Sequence, residues 1–328
     1  MMHILLISVA LVSKVPHEED VVIMGSGPAG MTAAIYAARS GLSTLVIEGD
    51  ETGGQITLSY KVDNFPGFPD GISGEELGMN MRKQALKFGA KIQSAKVESV
   101  DMTKQPFVLK LEGGKEITSK AVIIASGAST KWLELPSEAA LIGKGVNSCA
   151  LCDAPFFVGK EVVVIGGGDS ALEDALYLAN YATKVTIINR KENLRASPYL
   201  QNQVYANKKI EFVWNATIEE IKDPINEKVT GVTLLDTITK QLKFFPCDGV
   251  FIAIGHSPNT QLFKGKLELD ETGYVITKPH TTETTIDGVF AAGDVADPKY
   301  RQAITAAGSG SMAAIDAYNF IQKQKGRK

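Results

Sequence analysis

The stretch VVIMGSGPAGMTAAIYAARSGLSTLVIE, residues 21–48, runs through a strand, a glycine turn, a helix and a second strand in immediate succession. Residues 21–24 are a short apolar run of the kind buried on both faces of a parallel sheet, 31–39 an alanine-rich helical segment, and 45–47 the next apolar strand. Between the first strand and the helix, Gly25, Ser26, Gly27, Pro28, Ala29 and Gly30 have the spacing G-x-G-x-x-G. Glycines in such a turn let the backbone approach a pyrophosphate, and the positive end of the helix attracts its charge. Glu48, 23 residues beyond Gly25, stands where a carboxylate accepts hydrogen bonds from ribose hydroxyls.

The same order returns in VVVIGGGDSALEDALYLANYATKVTIIN, residues 162–189, with a strand at 162–165, a helix at 172–180 and a strand at 185–188. Its turn is Gly166, Gly167, Gly168, Asp169, Ser170 and Ala171, a G-x-G-x-x-A variant that loosens helix-strand packing slightly. Asn189 is again 23 residues beyond the first glycine, but Arg190, Lys191 and Arg195 follow. A carboxylate repels a ribose 2'-phosphate and basic side chains attract one, so the first site is expected to hold FAD and the second NADPH. The alternative for the basic trio is a solvated helix start. One fingerprint alone is weak evidence; here each copy sits between a strand and a helix.

Cys149 and Cys152 lie between the two units, separated by Ala150 and Leu151. A Cys-x-x-Cys pair closes a small disulfide whose thiolate form is accessible near neutral pH, which suits exchange more than stapling. Two nucleotides and a dithiol point to electron transfer from a nucleotide to a disulfide. The third cysteine, Cys247, follows Phe244, Phe245 and Pro246 with no neighbouring thiol or histidine and reads as a packed thiol. A structural zinc site needs about four ligands, and His3, His17, His256 and His280 are scattered, so no metal is expected.

The expected architecture is α/β, two Rossmann-like dinucleotide-binding domains with the second inserted into the first. Strand 121–125 ends at Ser126, Gly127, Ala128 and Ser129, a hinge into the second domain. Strand 250–254 leads through Gly255, His256, Ser257, Pro258 and Asn259 back to a strand at 289–292, followed by Gly293, Asp294 and a long helix to about residue 320. The divisions are an extension at 1–19, the first part of the FAD domain at 20–128, the NADPH domain with its dithiol at 129–257, and the second FAD part at 258–328. A chain of 328 residues with 44% hydrophobic residues can bury one large core or two modest ones, and two domains are expected. A net charge of -3 provides no broad basic field for nucleic acid. The apolar residues 4–12 number nine, short of the roughly twenty that cross a bilayer, and lack the basic start and cleavage site of a secretory signal. A cytoplasmic protein without membrane contact is expected.

Read together, GSGPAG at 25–30, EGDETGGQ at 48–55, NFPGFP at 64–69, CALCD at 149–153, GGGDSALE at 166–173 and GDVADPKYRQA at 293–303 resemble the low-molecular-weight thioredoxin reductases, in order from about residue 20 to the last helix. The resemblance implies FAD contacts at Gly25–Gly30, Glu48, Gly49, Gly53, Gly54, Gln55, Asn64, Gly293, Asp294, Arg301, Gln302 and Ala303. It implies NADPH contacts at Gly166, Gly168, Asp169, Ser170, Ala171, Arg190, Lys191 and Arg195. It further implies hydride transfer from NADPH to FAD, opening of Cys149–Cys152 by reduced flavin, and reduction of a thioredoxin disulfide by a homodimeric enzyme. Cys152 would face the flavin and Cys149 the partner, with Phe156, Phe157 and Lys144 as a landing surface unless the phenylalanines are core. A dithiol against the flavin cannot also meet a protein, so one domain would rotate on hinges near 127–131 and 255–259.

Physical chemistry adds roles to some of these residues. The helix beginning near Gln302 would point its positive end at the flavin pyrimidine edge, where a reduced flavin gathers negative charge. Asp294 would bind the cofactor, and Asp153, next to Cys152, would carry the proton that thiol–disulfide exchange requires. A turn-forming Asp before Ala154 and Pro155 is the plainer reading of Asp153. Three positions depart from the family pattern: Ala154 for a usual glycine, Asn189 for a frequent histidine, and Lys191 for a frequent arginine, which replaces a bidentate fork with a point charge. Rival readings are a flavin-dependent small-molecule dithiol oxidoreductase and a nucleotide-binding redox sensor without turnover.

Overall fold

The computed structural model describes residues 17–49 and 51–326. Valine and isoleucine runs with no solvent exposure form the middle of two separate sheets, as apolar strands covered on both faces must. In the first, the order is Lys91–Gln93, Thr44–Ile47, His17–Met24, Glu116–Ile124, Phe107–Leu111 and Val97–Asp101. Val289–Ala291 pairs in parallel with the end of Glu116–Ile124, Val289 opposite Val122. The second sheet is all parallel, in the order Ile210–Trp214, Lys184–Asn189, Glu161–Ile165, Gly249–Ile252 and Val146–Asn147. Every strand of the second lies in sequence between Ile124 and Val289, so it is an insertion into the first.

The two crossings of the chain are joined. Ala128–Thr130 and His256–Pro258 pair antiparallel as a two-stranded ribbon. Beside it Asn259 donates its backbone N–H to Gly127 O at 3.0 Å and its side-chain amide to Ser126 O at 2.8 Å. Both segments expected to act as hinges are therefore one structure.

Several elements run longer than the sequence reading allowed. The first strand begins at His17, within the expected extension, pairing Glu18 and Glu19 with Thr118 and Ser119. Charge hid it: Glu19 is fully buried, yet its carboxylate is matched by Lys91 Nζ at 2.8 Å and by the Ser43 hydroxyl. The apolar stretch at 4–12 lies outside the described residues. The first helix is Pro28–Arg39, because proline at its start is already set for helical backbone. A three-stranded antiparallel sheet, Ala216–Ile221, Gly231–Asp236 and Leu242–Pro246, is an addition no motif announced.

The alanines of Pro28–Arg39 let it press against the C-terminal helix Ala303–Lys325. At Gly310 a Cβ would stand 2.1 Å from the Ala29 carbonyl oxygen, while at Gly308 a Cβ would meet nothing within 4 Å. Gly310→Ala should therefore cost about 1–3 kcal/mol through overpacking, and Gly308→Ala should gain up to about 1 kcal/mol from helix propensity. Urea unfolding of both variants checks the opposite signs.

Candidate active site

The glycine turn at 25–30 opens on a cavity of 1410 Å³. Small-ligand pockets hold about 300–1,000 Å³, so this one is of dinucleotide size. Gly25, Ser26, Gly27, Pro28, Ala29, Glu48, Gly49, Gly54, Gln55, Asn64, Gly293, Asp294, Arg301, Gln302 and Ala303 all stand in its wall. Gly30 and Gly53 lie behind that wall. A Cβ on Gly30 would meet the Gly25 carbonyl oxygen at 1.9 Å, so this glycine seats the helix on the turn. Gly53 donates its N–H to Ser26 Oγ at 2.9 Å, and a Cβ on Gly54 would come 2.8 Å from the Gly27 Cα, so two glycine loops pack back to back.

The residues present fit a phosphorylated, hydroxyl-bearing ligand. Helix Pro28–Arg39 has no acidic residue in its first turn and no side chain capping it, which leaves its first N–H groups for an anion. Asp294 has no hydrogen-bond partner among the described residues. Its carboxyl is pushed up to about 6 by burial and by Asp297, with Arg301 opposing. Glu48 is buried, held by Arg82 and by the Ser94 hydroxyl. The spacing that singles out Glu48 is local to one βαβ unit and gives no sign of these two partners, which lie 34 and 46 residues away.

The dithiol occupies the same cavity wall. Cys149 and Cys152 are joined as a disulfide, their Cα atoms 5.3 Å apart. Cys149 is the N-cap of the single turn Ala150–Asp153, and its sulfur receives the Cys152 N–H at 3.2 Å. Facing the pair is Gln302, the N-cap of Ala303–Lys325: its Nε2 is 4.0 Å from Cys149 Sγ and its Oε1 4.0 Å from Cys152 Sγ. Asn64 donates to Oε1 at 3.3 Å. Ala154 adopts ordinary right-handed helical backbone, φ -53°, so a side chain there costs nothing.

Burial tunes the ionisable groups around the disulfide. Asp153 is pushed up to about 7 by desolvation alone. Asp174, on helix Asp169–Leu178, is also raised to about 7 by burial, opposed by Arg301 and by the Ala150 N–H its carboxyl accepts. His256 is held neutral, lowered to about 4 by burial and by the Arg301 and Lys131 charges. Arg301 itself takes left-handed backbone, φ 47°. His256 Nδ1 and Asn147 Nδ2 are buried on the cavity wall without a partner among the described residues. Nothing local separates Asp174 and Asn147 from solvated helix or turn residues, and His256 was expected only within the hinge at 255–259. Of the candidate landing residues, Phe157 is core, edge-on to Phe251 at 5.1 Å, whereas Phe156 is exposed with Lys61 Nζ 6.0 Å from its ring.

The second fingerprint lies elsewhere. Only Ser170 of its predicted residues reaches the large cavity; Gly166, Gly168, Asp169, Ala171, Arg190, Lys191 and Arg195 stand outside it. Arg195 returns to the glycine turn by donating its backbone N–H to Gly167 O at 2.7 Å, and Asp169 accepts the Ser197 N–H at 2.6 Å. The Arg190, Lys191 and Arg195 side chains are exposed and make no ion pair among the described residues. A patch of three unneutralised cations beside a glycine turn suits an extra phosphate.

Comparison with known proteins matches residues 19–310 to the pyridine nucleotide-disulphide oxidoreductase model. A thioredoxin reductase of Rickettsia conorii is 48% identical over 304 residues, covering 92% of this chain and 98% of that relative. The thioredoxin reductase structure from Giardia duodenalis is 39% identical and covers 93% of this chain and 99% of its own, with a TM-score of 0.88. The Lactococcus lactis thioredoxin reductase in its FR conformation is 38% identical with the same coverages, but has a TM-score of 0.62.

Asp153 titrates near neutrality, so its acid form is lost as pH rises through about 7. If that proton reaches a sulfur, disulfide reduction should fall above pH 7 in the native protein. Asp153→Asn should be slower by about 10²-fold or more and lack this limb in its pH–rate profile.

Proposed function

The chain belongs to the pyridine nucleotide-disulphide oxidoreductases, and on that footing we propose that it is an NADPH-dependent thioredoxin reductase working through FAD and the Cys149–Cys152 dithiol. One observation carries the reading: the disulfide sits in the wall of the dinucleotide-sized cavity that the first glycine turn opens. FAD, when bound, supplies a two-electron carrier between NADPH and the disulfide.

The protein's part is binding, placement and proton supply. Gly25–Gly30 and the N–H groups of Pro28–Arg39 hold the pyrophosphate, Glu48 the adenosine ribose, and Asp294 a hydroxyl of the cofactor chain. Gly166–Ala171 hold the NADPH pyrophosphate, and Arg190, Lys191 and Arg195 its 2'-phosphate. Asp153 holds the proton a departing thiolate takes up. Reduction of the disulfide consumes two electrons and two protons, and the resulting dithiol passes the electrons to a thioredoxin disulfide by exchange.

A docked dithiol has to leave the cavity to meet a protein, and the ribbon 128–130/256–258 is the pivot. The Giardia and Lactococcus proteins support such a swing: they are equally related to this chain, 39% and 38%, yet superpose at 0.88 and 0.62. Equal identity with unequal superposition is what two rigid units produce when their relative placement changes. We place the protein in the cytoplasm as a homodimer. Among the described residues no helix is long and apolar enough to cross a membrane, and Met312 and Ile315 lie exposed on the C-terminal helix.

Purified protein should be yellow and should oxidise NADPH rapidly only when thioredoxin is added; colourless protein, or NADPH consumption indifferent to thioredoxin, would overturn the proposal. Cys152→Ser should retain the flavin and lose thioredoxin turnover. Neutralising Arg190 and Lys191 should raise KM for NADPH far more than for NADH, by about 10-fold or more for each charge-assisted bond lost.

A further inference from the structure

The disulfide is covalently symmetric, but its surroundings are not. Gln302 presents its amide to the pair, nitrogen toward Cys149 and oxygen toward Cys152. The direction of that amide is set by its other partners. Nε2 faces two acceptors, the Tyr300 carbonyl at 3.3 Å and the Arg301 carbonyl at 3.2 Å, while Oε1 faces a donor, Asn64 Nδ2 at 3.3 Å. Reversing the amide would set oxygen against two carbonyls and nitrogen against an N–H. Cys149 Sγ also receives the Cys152 backbone N–H at 3.2 Å, so two donors converge on one sulfur.

We infer that Gln302, oriented by Asn64, sorts the reduced dithiol into a thiolate at Cys149 and a thiol at Cys152 for as long as the pair is docked. The inference rests on the oxidoreductase reading above and assigns Gln302 a task beyond cofactor contact. In the reduced pair, Cys149 Sγ accepts from Nε2 and from the Cys152 N–H, and the Cys152 S–H donates to Oε1. An attack at Cys152 Sγ breaks the S–S bond and sends its electron pair to Cys149 Sγ, which leaves as the thiolate that the amide is placed to receive. With dithiothreitol as reductant, its two thiols become a cyclic disulfide; one of their protons ends on Cys152 and the other goes to solvent.

Gln302 belongs to the outer unit and the cysteines to the inserted one, so this sorting is lost when the dithiol swings out. Cys149 then gives up one of its two donors and becomes more basic and more nucleophilic. Other ionisable groups line the same cavity: Asp153 from the turn of the pair itself, Glu173 and Asp174 from Asp169–Leu178, Asp294 and Arg301 from the segment before the last helix, and His256 from the ribbon. Among the described residues, none of these makes a hydrogen bond to either sulfur. Asn64 acts through Gln302 and is a positioning residue.

The test is an anaerobic pH titration of the full-length, flavin-loaded protein, reduced with dithiothreitol and labelled with 13Cβ-cysteine, followed by NMR, with resonances assigned by Cys→Ser variants. Cys149 should titrate below Cys152, and Gln302→Met, which keeps the length and removes the amide, should raise Cys149 by about 1. Asn64→Leu, which frees the amide without removing it, should raise Cys149 by less; it decides the matter if the Met variant does not fold. Cys152 titrating first in the native protein, or neither variant moving Cys149, overturns the inference. NADPH-dependent thioredoxin turnover by the native protein is measured alongside. If it is present while the titration fails, only this inference falls; if it is absent, the proposed function falls whatever the sulfurs do.

Discussion

The meeting of Cys149–Cys152 with Gln302 is the constraint around which the rest of the chain is arranged. A disulfide is useful for electron transfer only if a donor can lie within contact of it, and here the two cysteines and the glycine turn that opens the cavity belong to different units. The glycine turn aligns the cavity, the C-terminal helix carries Gln302 to its rim, and the ribbon brings the inserted sheet close enough to press the disulfide in. A glycine at 310 matters for the same reason: any side chain there would push the C-terminal helix off Pro28–Arg39 and move Gln302 with it.

Around this contact lies a group of charges held back from their ordinary states. Asp153, Asp174 and Asp294 are all shifted toward the protonated acid by burial, and His256 toward the neutral base. Arg301 is the cation common to Asp174, Asp294 and His256. Its left-handed backbone, unfavourable for a side chain outside glycine, Asn or Asp, is a local cost met by the position it secures. The result is a site whose three carboxyls carry less negative charge near pH 7 than free carboxylates would, which lowers the repulsion met by an anionic cofactor or a new thiolate.

What the sequence made legible follows from how local each signal is. Gly25–Gly30, Gly166–Ala171, Glu48 and the basic trio are visible because turn geometry and strand length fix their spacing within one βαβ unit. The insertion was legible too, because strand 289–291 and the motif after it continue a pattern broken at 124. Arg82, Ser94 and Asp174 were not, since a partner across a sheet or between units leaves no periodic trace. The start of the first strand was obscured by Glu18 and Glu19, whose charges interrupt the apolar run although Glu19 is matched inside the fold. The motif led to Gln302 being expected as a cofactor residue, while its contact with the sulfurs required the fold to bring residues 149 and 302 together.

The pairing of Ala128–Thr130 with His256–Pro258 also bears on how such a chain assembles. An insertion spanning 131–255 would ordinarily leave the outer sheet to close a very long loop, with the entropy loss that entails. Because the inserted unit leaves and re-enters through adjacent strands, once folded it holds its own two ends side by side. To the outer unit it then behaves as a short hairpin. Strand Val289–Ala291 can find Glu116–Ile124 almost as if the intervening sheet were not there.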